Sequence, residues 1–232
     1  MPDEVAKLVE AVHPRYQAMV LLAAYCSLRF GELAGLRRSR LDLLHRTVTV
    51  DETAVELSGG RIVFGPPKTA ASRRVVSMPP QLTAVLEQHL TEHVGPEPDA
   101  LIFPALDGKP LGRNDFRPIW AAACAGAGIS GLHFHDLRGS GATWAAATGA
   151  TVREVMARLG HTTATVALRY QHATKERDRT IADRLGALMK VAEAEPVEPG
   201  GTISPMRSGR FPRDLAGLYP VAARRPSLNL QG

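Results

Sequence analysis

From Tyr16 to Ser27 the chain reads Tyr-Gln-Ala-Met-Val-Leu-Leu-Ala-Ala-Tyr-Cys-Ser, with almost no polar side chain. A helix built from such a run has no face to offer water, so other elements must cover it on all sides. The run therefore predicts a buried helix inside a helical assembly. Its apolar stretch, Ala18 to Leu28, is too short to cross a bilayer. It also lacks the charged start and small-residue cleavage site of a secretion signal. A length of 232 residues suits one sizeable domain, or one domain with an appendage. The expectation is a soluble, cytoplasmic protein with no membrane partner.

Around that helix, Pro2 to Val12 and Phe30 to Arg37 have apolar residues at helical spacing, which makes three helices in about forty residues. The pattern then changes. Thr47-Val48-Thr49-Val50 alternates, Ser58-Gly59-Gly60 is a turn signal, and Arg61-Ile62-Val63-Phe64 and Arg73 to Met78 read as two more strands. These three strands predict a small antiparallel sheet at one edge, with Lys68 in the loop between the second and third. Pro79-Pro80 opens a helix to about His93, and Leu101 to Pro104 fits a short buried strand or a turn. Asn114 or Asp115 can cap the next helix. Further helices are predicted over Phe134–Ala147, Val152–Leu159, about 164–172 and Lys175–Val191. The fold class is α+β, mainly α. After Val191 the composition turns to Pro, Gly, Ser and Arg without a period, so residues 192–232 are expected to form a flexible tail behind a domain of residues 1–191.

The net charge is +5, and the tail's five arginines against four acids leave +4 of it on residues 1–191. A basic domain favours an anionic partner, of which nucleic acid is the commonest. Cys26 and Cys124 lie in apolar surroundings with no second cysteine nearby, which fits reduced core residues.

Five cations or proton carriers and one tyrosine stand out by context. His135 and Arg138 are three apart and share a helix face. A guanidinium fork matches two phosphate oxygens, and an imidazole beside it can carry a proton near neutral pH. Taken alone, the commoner meaning of this pair is a capping histidine and a solvated arginine. Arg29 ends the apolar run and must reach water or a partner, with Glu32 three residues on to orient it. Lys68 sits in a loop stiffened by Pro66-Pro67, where most lysines are merely solvated. His161 follows a helix-ending Leu159-Gly160, and Tyr170 lies nine residues later; singly, both are more often structural. A rival arrangement makes His133, His135 and Asp136 a metal cluster. A helix starting there would turn the two rings about 200° apart, which weakens it.

Together, Ser27-Leu28-Arg29-Phe30-Gly31-Glu32-Leu33, Pro67-Lys68-Thr69, His135-Asp136-Leu137-Arg138, Leu159-Gly160-His161 and Arg169-Tyr170 resemble the five conserved boxes of the tyrosine recombinases, the phage integrase family. The resemblance covers about residues 1–190 and implies the catalytic-domain fold of that family. It implies that Tyr170 attacks a DNA phosphodiester to give a 3′-phosphotyrosyl link and a free 5′-hydroxyl. Arg29 and Arg138 would clamp the non-bridging oxygens, and Lys68 would protonate the leaving oxygen. His135 would take or orient the tyrosine proton, and His161 would donate to the phosphate. On this resemblance no metal and no cofactor is needed. The partner is double-stranded DNA, on which the family assembles as a tetramer, and the expected setting is a bacterial nucleoid. The segment after Tyr170 packs in cis or on a neighbouring copy. Two departures stand out: Gly139 replaces a histidine that many relatives carry after the second arginine, and the amino-terminal DNA-binding domain usual in the family has no counterpart before the first box. A catalytically idle DNA-binding remnant of the same fold remains the alternative. Arg138→Ala is expected to stop cleavage and leave the fold intact.

Overall fold

The computed structural model describes residues 2–161, together with Arg179 and Asp183. The helices expected near 164–172 and 175–191, the tail 192–232 and Tyr170 lie outside the described residues.

The apolar run becomes α2 (Gln17–Tyr25), entered through a single 3₁₀ turn at Pro14–Tyr16. As its sequence demands, α2 is covered on several sides, by α1 (Pro2–Ala11), α4 (Gln81–His93) and α6 (Asp136–Ala147). Met19, Val20, Leu22, Ala23 and Ala24 are fully buried. The closest crossing is with α6 at Gly141, where an added Cβ would sit 2.1 Å from the Ala24 carbonyl oxygen. Only glycine permits that approach. α5 (Arg113–Gly126) packs on α1, and an aromatic cluster of Tyr16, Phe30, Phe116, Trp120 and Phe134 fills the space between them and α3 (Phe30–Ala34). α7 (Val152–Leu159) begins with a reciprocal Thr151–Glu154 cap and ends at Gly160 with φ of +64°.

The strands differ in membership from the expectation. A three-stranded antiparallel sheet is present, but its order is β1 (Leu41–Asp42), β2 (Thr47–Val50), β5 (Arg74–Ser77). The predicted strand at 61–64 belongs instead to a separate hairpin, β3 (Thr53–Glu56) with β4 (Ile62–Gly65), turned by Gly59 and Gly60. The reason lies at the corner after Val50. Arg40 pairs with Asp51 at 2.9 Å and Arg37 with Glu52 at 2.7 Å, which holds the chain as it leaves the first sheet. The hairpin then lies on α3, where a Cβ on Gly31 would meet the Ala54 carbonyl at 2.6 Å. Leu101 to Pro104 forms isolated bridges rather than a strand, with Ile102 and Phe103 fully buried. α5 starts at Arg113, one residue ahead of the expected cap. Its first backbone N–H is served from the hairpin: Glu56 accepts from the Arg113 N–H at 2.7 Å, and also from the side-chain Nδ2 of Asn114 at 2.6 Å.

Candidate active site

The connector from α2 to α3 builds the first half of the site. Ser27 is buried with φ of +56°, and this left-handed residue turns its carbonyl toward the Arg138 guanidinium, whose Nη1 donates to it. Arg29 follows and stands just before α3. Its N–H and its Nη1 both donate to Glu32, each at 2.8 Å. Glu32 is only 3% exposed, and its two oxygens also receive Nη1 and Nη2 of Arg74, each at 3.0 Å. Burial alone would raise the Glu32 pKa. The bidentate Arg74 contact and its charge, then the Arg29 N–H and charge, outweigh burial and hold the carboxyl below its ordinary value.

The second half comes from α6 and the end of α7. Arg138 is 4% exposed, and its Nη2 donates to the Leu159 carbonyl and lies 3.2 Å from His161 Nε2. A buried guanidinium is tolerable only when it is paired, and each of these carbonyls takes one of its donors. His161 is half-buried. Burial and the charges of Arg138, Arg29 and Arg74 push its pKa down to about 4, so the ring is neutral at pH 7. With Nε2 turned to an Arg138 donor, the ring proton belongs on Nδ1, which has no hydrogen-bond partner among the described residues.

His135, immediately before α6, is exposed. Partial loss of water and the charges of Arg138, Arg29 and Arg113 lower its pKa, with Asp136 opposing. Lys68 is exposed in the β4–β5 loop and lines an open cleft of about 1000 Å³ with Arg29, Gly160, His161 and Arg113. Arg29, Lys68 and His161 thus line one cleft, Arg138 touches His161, His135 feels the charges of Arg138 and Arg29, and the sixth expected residue, Tyr170, lies outside the described residues. The rival cluster does not form: Asp136 caps the His133 N–H at 2.8 Å, and no group of three His, Cys, Asp or Glu suited to a metal occurs among the described residues.

Two further cations escaped the sequence. Arg113 sits with its guanidinium 5.7 Å from the Phe30 ring centroid and faces the cleft. Arg74 is buried in the site's support. Strand parity held a signal for it: Arg74 shares a face with buried Val76, while Val75 between them is 63% exposed. An arginine on the inward parity of a strand requires a buried acid.

The chain and its fold have counterparts among known proteins. Residues 1–177 match the model of the phage integrase family, and the chain belongs to that family. It is 42% identical over 193 residues to the prophage phiRv2 integrase of Mycobacterium tuberculosis, covering 82% of this chain and 51% of that one. It is 35% identical over 195 residues to the integrase of Mycobacterium phage L5, covering 82% and 52%. The chain thus spans about half the length of these relatives. In fold it is similar to the Tn1549 transposon integrase solved with circular intermediate DNA, with a TM-score of 0.68 at 20% identity over 80% of this chain and 66% of that one. The XerA recombinase gives a TM-score of 0.59 at 22% identity, over 80% and 62%. Among the described residues no helix is long and apolar enough to cross a membrane.

Proposed function

We propose that residues 1–191 form the catalytic domain of a site-specific tyrosine recombinase that breaks and rejoins duplex DNA, followed by a tail of residues 192–232. One observation carries this reading. Two guanidiniums from distant parts of the chain, Arg29 and Arg138, both press on His161, at a cleft that Lys68 lines. Such a cluster of positive charge around a neutral imidazole is suited to a phosphate.

In the proposed step the Tyr170 oxygen attacks phosphorus, and the bond to the 5′-oxygen breaks. The phenol proton passes to His135, whose lowered pKa keeps it neutral and able to accept at pH 7. Lys68 gives a proton to the departing 5′-oxygen. Arg29 and Arg138 bear the negative charge that builds on the non-bridging oxygens, and His161 completes the clamp through a hydrogen bond. The phosphotyrosyl bond conserves the energy of the diester, so a 5′-hydroxyl reverses the step without a nucleotide. With three cations supplied by side chains, the reaction needs no metal ion. Assembly as a tetramer on duplex DNA belongs to the same proposal, as does action at the bacterial nucleoid.

The test uses nicked suicide duplexes from a randomised-core pool, in the presence of chelator. The expected result is a covalent protein–DNA adduct that Tyr170→Phe abolishes. Retention of DNA with no adduct would leave an idle DNA-binding module, and loss of the adduct on chelation would point to a metal enzyme.

A further inference from the structure

We infer that Arg74 is a positioning residue of this site, fixing Arg29 relative to Arg138 and His161. The inference rests on the recombinase reading above. Arg74 is 6% exposed on its side chain and ties two helices to its own strand. Its Nη1 and Nη2 grip both oxygens of Glu32 on α3, at 3.0 Å each. Its Nε donates to the Arg158 carbonyl at the end of α7, at 2.8 Å. Its own strand, β5, continues the loop that carries Lys68.

Each contact has a consequence for the cleft. The carbonyl beside the one Arg74 holds, that of Leu159, receives Arg138 Nη2, and His161 follows two residues later. The turn is also packed from the Lys68 side: a Cβ on Gly160 would lie 3.0 Å from the Ala71 oxygen and 3.3 Å from Arg74 Cδ. On the other side, Glu32 shared with Arg74 engages the Arg29 side chain through Nη1 at 2.8 Å, and that side chain is 34% exposed toward the cleft. Without Arg74, a buried carboxylate would have Arg29 as its nearest charge partner. A bidentate pair with Glu32 would then draw the guanidinium inward, away from a phosphate.

The experiment measures single-turnover adduct formation at saturating DNA, with the 232-residue chain, below the melting temperature of each variant. Arg74→Met is expected to slow it about 100-fold while the Kd for duplex changes less than about threefold. Arg74→Lys keeps the charge but cannot hold Glu32 twice and the Arg158 carbonyl together, and it falls between. The decisive arm replaces the scissile phosphate with an uncharged methylphosphonate. If Arg74 acts through Arg29 on a charged oxygen, the wild-type to Arg74→Met ratio collapses to within about threefold on that substrate. An equal penalty on both substrates, or Arg74→Met at wild-type speed, overturns the inference and leaves the recombinase reading standing. A wild-type chain that forms no adduct overturns both.

Discussion

Ser27 holds a conformation that costs a β-carbon strain, and it does so at 0% exposure with its Oγ lacking a hydrogen-bond partner among the described residues. Ser27→Gly keeps the carbonyl that Arg138 uses and removes both penalties. It should raise stability by about 1 kcal/mol, visible as a melting temperature higher by about 2–4 °C. Arg138 reads differently once its surroundings are known. Sequence alone put it on a helix face and expected Arg138→Ala to spare the fold; burial against two backbone carbonyls changes that. Arg138→Ala should abolish adduct formation and also cost about 2–4 kcal/mol in a denaturant titration, because the carbonyls of Ser27 and Leu159 lose their donors. His161 gives a pH signature. Its folded pKa, about 4, lies below the ordinary 6.5, so the unfolded chain takes up the proton first. The neutral ring's contribution is complete above about pH 6.5 and drains away as pH falls toward 4. His89 and His135 shift in the same direction, so the comparison must be with His161→Gln, whose melting temperature should fall less steeply across that window. Parallel curves for the two proteins would contradict the assignment.

At the level of elements, glycines decide which backbones touch. Gly141→Ala would drive a methyl into the Ala24 carbonyl at 2.1 Å and into Ser27 Oγ at 2.5 Å, forcing α6 away from α2. A loss of about 2–3 kcal/mol is expected by calorimetry, with adduct formation lost as well, since the same movement shifts Arg138 off the Ser27 carbonyl. The elements also show what the sequence could carry. The α2 run was unmistakable because a helix apolar on all sides has one possible environment. The alternation of Thr47 to Val50 likewise marked a strand with one buried face, and Arg73 to Met78 was read as another strand. β3 was invisible: in Thr53-Ala54-Val55-Glu56 no residue is fully buried and Val55 is exposed, since the strand rests on the glycine face of α3 rather than over a core, and its parity carries little contrast. β1, two residues long, offers no period at all. The candidate site residues could be singled out by context, and most of their supports could not. Arg29, Lys68, His135, Arg138 and His161 stood out from flanking context, whereas Arg74 left only the parity of its strand, and Glu56, which pairs across 57 residues of sequence, left no local trace.

For the molecule as a whole, the basic charge bears on the proposed division into a domain and a tail. Residues 1–191 hold +4 of the net +5, so the proposed attraction to DNA belongs to the domain, not to the arginines after Val191. Binding to duplex should weaken steeply with salt, because phosphates neutralised by the cleft cations and other basic side chains release their counterions. Deleting residues 192–232 tests this separation in two independent ways. If the tail contributes neither packing nor affinity, the melting temperature stays within about 2 °C of the full chain, a shift worth less than about 1 kcal/mol in a domain of this size. The slope of log K against log salt also stays unchanged within about one unit, since removing a near-neutral segment removes no net phosphate contact. A large drop in melting temperature would mean that the tail packs on the domain. A shallower salt slope at constant stability would instead place some of its five arginines on the DNA backbone.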